Sequence, residues 1–103
     1  MSMQSDVKAT QPLAATGLFL TQSGANLTAR TRIKSIYAVC GASAGAVVFR
    51  DGSGAGAILL TLNTPALADN GYVALDLPDQ GIVAESGVHA TITNTASVIV
   101  FFG

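Results

Sequence analysis

The amino-acid sequence predicts an all-β fold, an antiparallel β-sandwich of the jelly-roll or immunoglobulin-like type with about eight short strands. Short apolar runs recur about every 8–12 residues and are separated by Gly, Asn, Asp and Pro, as in sandwiches and barrels. Several runs alternate between apolar and polar residues, as strands with one buried face do. No stretch has the 3.6-residue periodicity of a helix of three turns or more.

The individual strands follow from alternation and from β-branched residues. They are predicted at residues 18–21, 30–40, 46–50, 57–63, 72–77, 82–85, 88–93 and 97–102. Turn residues separate them, notably the Asp51-Gly52 step that opens a Gly-rich hairpin loop and the Pro-Asp-Gln-Gly run at 78–81. Residues 66–71 are predicted to be a connection.

Strict alternation along residues 30–40 assigns Tyr37 and Val39 to the same face as Ile33. The opposite face carries cations first and apolar residues afterwards, namely Ile36, Ala38 and Cys40. This change of character predicts that the second face passes from solvent to a contact.

Residues 1–16 are predicted to form an extended or disordered arm, and residues 17–103 to form the sandwich domain. The arm is polar or small in composition, contains Pro12 and has no periodicity. We expect it to add little to the stability of the domain and to act in assembly. It lacks a basic region followed by an apolar stretch, so no signal peptide is predicted.

Charged residues are scarce and unevenly distributed. Only 11% of the residues are charged, against about 25% in an ordinary soluble domain. All five basic residues fall within residues 1–50, and five of the six acidic residues fall within residues 51–103. Such asymmetry indicates a partner of mixed charge or another copy of the chain, unless the fold interleaves the two halves. A net charge of −1 gives no support for binding nucleic acid or an anionic membrane.

Two strands are predicted to contact partner subunits. The strand at 30–40 projects cations from one face. The last strand is apolar on both faces, so either it lies centrally under other structure or one face meets a neighbouring subunit. The predicted contact residues are Arg30, Arg32, Lys34, Val98, Val100 and Phe102. The expected assembly is a homotrimer closed head to tail, in which the cationic strand of one copy meets acidic loops of the next.

No catalytic residue, cofactor or metal site is predicted, and the chain is not expected to be an enzyme. His89 and Cys40 are the only His and Cys, so a zinc site of the usual type cannot form within one chain. His89 shows no Ser–His–carboxylate partnership, which favours a surface histidine. Cys40 follows Val39, which is typical of a small buried hydrophobic residue.

Two further motifs are better explained by turns than by binding. Asp51 and Asp79 fit turn positions, and the Asp76-x-x-Asp79 spacing is not that of a calcium loop. The Gly-x-Gly-x-Gly run at 52–56 is followed by a strand rather than a helix and lacks the Lys of a phosphate loop. It is predicted to be a mobile hairpin tip.

Five stretches carry a resemblance to a known class of proteins. They are IKSIYAVCGASAG at 33–45, VVFRDG at 47–52, GI at 81–82, GVHATITN at 87–94 and VIVFFG at 98–103. In this order they resemble the small virion proteins of tailed bacteriophages. The resemblance extends from residue 30 to residue 103, is a pattern of strands and turns, and carries no catalytic residue.

The resemblance implies a structural protein of the virion that is assembled in the cytoplasm of the host bacterium. It implies a capsid decoration (cement) protein that clamps neighbouring major capsid subunits, with a head–tail connector or tail subunit as the alternative. A carbohydrate- or receptor-binding module is the alternative from another class, although the chain has no Trp and only two Tyr to stack on sugar rings. The implied partners are other copies of the chain and other virion proteins, without nucleic acid or membrane.

Overall fold

The computed structural model describes residues 7–66, 71–77 and 81–103. Residues 1–6 of the predicted arm, 67–70 of the predicted connection and 78–80 of the predicted turn lie outside the described residues. The described part contains β1 (Lys8–Ala9), β2 (Gly17–Leu18), β3 (Thr31–Cys40), β4 (Gly45–Asp51), β5 (Ile58–Thr64), β6 (Tyr72–Asp76), β7 (Ile82–Ala84), β8 (Val88–Thr93) and β9 (Thr95–Phe102). It contains no helix, so the all-β prediction is confirmed.

The strands pair as a nested antiparallel series. β4 pairs with β5, β3 with β6, β2 with β8 and β1 with β9. The first sheet has the order β1-β9-β3-β6, with β7 also paired to β3, and the second sheet has the order β2-β8-β4-β5. A long hairpin wrapped in this way into two sheets is a jelly roll. The sandwich prediction is therefore confirmed, and the strand order selects its jelly-roll alternative.

The two sheets enclose an apolar core. The ring of Phe19, which follows β2, stacks on that of Phe49 in β4, with centroids 6.1 Å apart and planes 9° apart. Both rings are fully buried. Apolar area removed from water in this way stabilises the fold by about 25 cal/mol per Å². The same core includes Ile33, Ile36, Val47, Val88, Ala90, Val98 and Val100.

A β-bulge interrupts the pairing of β3 with β9. Ile33 pairs with Phe102, and Ser35 pairs with the adjacent Phe101, so Lys34 is an extra residue in β3. Because the side-chain period of a strand is two, one extra residue exchanges the two faces of the strand. Before Lys34, the odd-numbered residues of β3 face the core, and after it the even-numbered residues do.

This exchange corrects the predicted faces of β3. The prediction that Tyr37 and Val39 share the face of Ile33 is wrong, because they follow the bulge and lie on the outer face. The bulge also explains why the even-numbered positions of β3 change from cations to apolar residues along the strand. The core-facing side chains of β3 after the bulge are at most 2% exposed, and they are Ile36, Ala38 and Cys40.

Part of the predicted arm belongs to the sandwich. β1 pairs with the end of β9, and Thr10, which follows it, is 1% exposed. The Thr10 N–H donates to the Val100 carbonyl oxygen at 2.9 Å, and the Thr10 hydroxyl oxygen accepts from the Val100 N–H at 3.1 Å. The Gln11 N–H then donates to the Leu20 carbonyl oxygen at 2.9 Å. In contrast with the expectation for the arm, this segment closes one side of the sandwich.

Replacing Thr10 with Val tests this role. Val lacks the hydroxyl oxygen that accepts from the buried Val100 N–H, so we expect the free energy of unfolding to fall by about 1–3 kcal/mol. Thr10→Ser keeps the hydroxyl group and is expected to lose less. Urea unfolding of the purified proteins measures both changes, and an unaltered stability of Thr10→Val would contradict the assignment.

The burial of Cys40 leads to a second prediction. Its side chain is 2% exposed, so Cys40→Ser puts a hydroxyl group into apolar surroundings and is expected to cost about 1–3 kcal/mol of unfolding free energy. Ala42→Ser, at an exposed position in the next turn, is the control and is expected to change stability by less than about 0.5 kcal/mol. Chemical denaturation compares the two. Similar small effects of both would show that the thiol is not packed as described.

Candidate functional site

The outer face of the first sheet carries a contiguous set of apolar side chains. Cross-strand register places Tyr37 beside Ala74 and Ile99, and Val39 beside Tyr72. Every second residue of a strand lies on the same face, which adds Phe101. We call this surface the apolar face; it consists of Tyr37, Val39, Tyr72, Ala74, Ile99 and Phe101.

The side chains of the apolar face remain partly accessible. Tyr72 is 53% exposed, and Tyr37, Ile99 and Phe101 are half-buried. The rings of Tyr37 and Tyr72 lie 5.6 Å apart, tilted by 33°. Exposed apolar patches on a protein surface are often functional, which makes this face a candidate interaction site.

Two of the predicted contact residues border the apolar face. Arg32 and Lys34 flank Ile33, whose side chain is fully buried, so both cations lie on the outer side of β3. Asp76 lies beside Ser35 on the neighbouring strand and adds one acidic group to the same face. The apolar face thus has a positive end at Arg32 and Lys34.

Arg30, also a predicted contact residue, is tied to the acidic half of its own chain. Its Nε lies 3.4 Å from Oε1 of Glu85, and the two side chains are 57% and 66% exposed. Exposed pairs of this kind contribute at most about 1 kcal/mol. The contact still matters for the charge pattern, because the fold brings a cation of the first half to an acid of the second. This weakens the basis of the predicted head-to-tail ring.

The predicted contact residues of β9 lie on its inner face. Val98 and Val100 are fully buried, and Phe102 is half-buried and packs against the core. Val98 and Val100 therefore offer no surface to a partner, which corrects their assignment as contact residues. The position of β9 between β1 and β3 does not decide between the two alternatives for this strand, because its outward side chains stay partly accessible. The outward apolar side chains are Ile99 and Phe101.

A second feature lies on the outer side of the second sheet, where the Gly-rich loop meets Arg50 and His89. These two residues stand opposite each other on β4 and β8. Arg50 Nη1 donates to the Gly56 carbonyl oxygen at 3.1 Å. Buried Arg50 Nε and His89 Nδ1 have no hydrogen-bond partner among the described residues. Within that part of the chain, His89 therefore lacks the hydrogen-bonded carboxylate with which a catalytic histidine is oriented.

Backbone constraints account for the glycines of this loop. Gly52 has a φ of +78°, in the region that favours glycine. A Cβ atom at Gly56 would overlap the Asp51 carbonyl oxygen. The Asp51 carboxylate accepts from the Ser86 N–H at 2.8 Å, a long-range contact that ties the start of the loop to the segment between β7 and β8. The loop is thus a hairpin turn between β4 and β5 that is held by hydrogen bonds. Its backbone geometry accounts for glycine at residues 52 and 56.

Among the described residues, no group of three or more His, Cys, Asp and Glu side chains is placed to hold a metal ion. Asp79, one of the carboxylates considered from the sequence, lies outside them. In the same part of the chain, no helix is long and apolar enough to cross a membrane.

Comparisons with protein-family models, with curated proteins and with solved structures found no match for this chain. The jelly roll itself occurs in viral capsid proteins, lectins and cupins. Since one fold hosts many functions, the surface chemistry has to decide among them.

Gly56→Ala tests the account of the loop. The new Cβ atom would overlap the Asp51 carbonyl oxygen, so the backbone has to move, and we expect a loss of about 1–3 kcal/mol in unfolding free energy. Gly17→Ala is the control, because a Cβ atom there has no neighbour within 4 Å. Thermal unfolding measures both variants. Equal losses would indicate that the turn does not require glycine at residue 56.

Proposed function

We propose that this chain is a non-enzymatic structural protein of a bacteriophage particle, a capsid decoration protein that binds neighbouring capsid subunits through the apolar face. The observation that carries the proposal is the apolar face with Arg32 and Lys34 at its end. Aromatic residues and Arg are enriched at protein interfaces. The fitting partner surface has an apolar centre and acidic groups opposite the two cations.

Three further features support a structural role. Jelly rolls recur among viral capsid proteins. With charge on only 11% of the residues, the surface carries few of the groups that are depleted at interface cores. The resemblance of residues 30–103 to virion proteins of tailed phages agrees with both. A likeness of fold is an analogy, so the role has to be tested on particles.

Copy number in purified particles tests the proposed role. Particles are isolated from a phage that encodes the chain, and the chain is counted against the major capsid protein by quantitative mass spectrometry. A copy number of the same order as that of the capsid subunit supports a decoration protein. A number that corresponds to one or a few rings supports the connector or tail alternative. Absence of the chain from the particle would refute a virion role.

A carbohydrate- or receptor-binding module is the second candidate, and the tyrosine pair favours it. The rings of Tyr37 and Tyr72 combine apolar faces with polar hydroxyl groups, and they lie 5.6 Å apart on an accessible surface. Lectins also use the jelly roll. Glycan-array binding that is lost in Tyr72→Ala would support this candidate, and absence of binding to any glycan would speak against a carbohydrate ligand.

Tyr72→Lys is the variant that tests the apolar face directly. Because Tyr72 is 53% exposed, we expect the stability of the isolated protein to change by less than about 0.5 kcal/mol. Binding to particles stripped of the protein is expected to fall at least about tenfold, since a charge is buried in the contact. Co-sedimentation measures the binding.

The matched control is Thr93→Lys, which adds the same charge at an exposed position on the outer face of the second sheet. It is expected to bind like the parent chain. Equal losses in the two variants would show that binding does not use the apolar face.

A further inference from the structure

The two open sides of the sandwich are built differently. On one side lie the edge strands β1 and β2, and on the other lie β6 and β5. On the first side, the Gln22 side chain Nε2 donates to the carbonyl oxygens of Ala9 and Thr10, at 3.3 and 3.0 Å. Backbone acceptors at the end of β1 and directly after it are therefore already occupied. This is the kind of protection that edge strands of soluble proteins usually have.

Among the described residues, no comparable protection covers the strand β5 on the opposite side. Its sequence, ILLTLNT, contains no charged residue and no Pro, although Lys and Pro are the usual guards of an exposed edge. One edge of β5 pairs with β4, and no described strand pairs with the other. Leu59 forms a bulge near the start of β5, which leaves residues 60–64 in regular register.

Apolar side chains are also accessible on this side. Among the described residues, Ile58 and Tyr72 are the exposed large apolar residues, at 57% and 53%, and they lie on β5 and β6. Leu60 and Leu62 pack against the core but remain partly exposed at the end of the second sheet. A strand added to β5 would cover both leucines and would satisfy the free backbone groups of the edge.

We propose that β5 pairs antiparallel with β5 of a second copy of this chain, about a twofold axis at Thr61. In this register Leu60 faces Leu62 of the partner subunit on the core side, and Thr61 faces its own counterpart on the outer side. Thr–Thr and apolar cross-strand pairs stabilise antiparallel sheets, and no like charges meet because β5 carries none. A second copy is the occupant because the strand is self-complementary about Thr61 and an isologous contact closes with two copies.

This pairing concerns the isolated protein and does not rest on the virion role. Light scattering coupled to size exclusion is expected to give a mass near twice 10.4 kDa for the full chain. A monomer across the dilution series would overturn the pairing. A mass near three times that of the chain would do the same and would support the predicted head-to-tail trimer instead.

Charge reversal at the proposed axis tests the register. Thr61 is exposed on the outer face, so Thr61→Lys and Thr61→Glu are expected to fold normally, which thermal unfolding checks. Each variant alone places like charges opposite each other and is expected to be monomeric, whereas an equimolar mixture is expected to recover the dimer mass. A dimer that persists in either variant, or a mixture that stays monomeric, would refute this register.

Thr93→Lys again serves as the control. Thr93 lies on the same outer face, but on β8, which is flanked by β2 and β4. The control is expected to remain dimeric, and its dissociation would refute an edge-specific contact. Particle binding by Thr61→Lys separates the two proposals. If the monomeric variant still binds particles, the particle contact through the apolar face does not depend on the pairing of β5.

Discussion

The structure depends on the β-bulge at Lys34 in the middle of β3. β3 is the longest strand described, and it pairs with β9, β6 and β7. With strict alternation, β3 could bury Ile33 or the pair Ile36 and Ala38, but not all three. The extra residue allows all of them to face the core. The same shift sends Tyr37 outward, so the core and the apolar face have one common cause.

The nested pairing of strands also determines where surfaces of different character lie. Because β1 and β2 end one side and β6 and β5 end the other, the N-terminal segment can seal only the first side. It does so through the buried hydrogen bonds of Thr10 and the amide group of Gln22. The second side keeps an uncharged edge strand. The proposed particle contact and the proposed contact between copies therefore use different parts of the surface.

The crossing between the two sheets at the end of the chain relies on a single residue. Asn94 separates β8 in the second sheet from β9 in the first, and its φ is +48°. Asn is among the few residues besides Gly that adopt this conformation with little strain. The Asn94 carbonyl oxygen also accepts from the Gly41 N–H at 3.2 Å, which ties the corner to the end of β3. Asn94 thus connects the two sheets in a backbone conformation that bulkier side chains rarely adopt.

The sequence by itself determined the fold class and the strands from β3 to β9, because alternation, β-branched residues and turn residues are local signals. It also indicated the burial of Cys40. Only the tertiary structure revealed β1, since a strand of two residues carries no pattern and exists through pairing with β9. The strand predicted at 18–21 is observed as the shorter β2, whose extent is determined by its pairing with β8. The ion pair of Arg30 with Glu85 likewise requires the pairing of β3 with β7.

The candidate site divides in the same way. Arg32 and Lys34 could be chosen from sequence because charged residues in a strand point to solvent. On β9, both faces are apolar, so composition does not tell which one the second sheet covers. Packing decided that Val98 and Val100 are inside and that Phe101 is outside. The bulge at Lys34 is equally invisible from local pattern, because an extra residue is defined only by the partner strand that it fails to match.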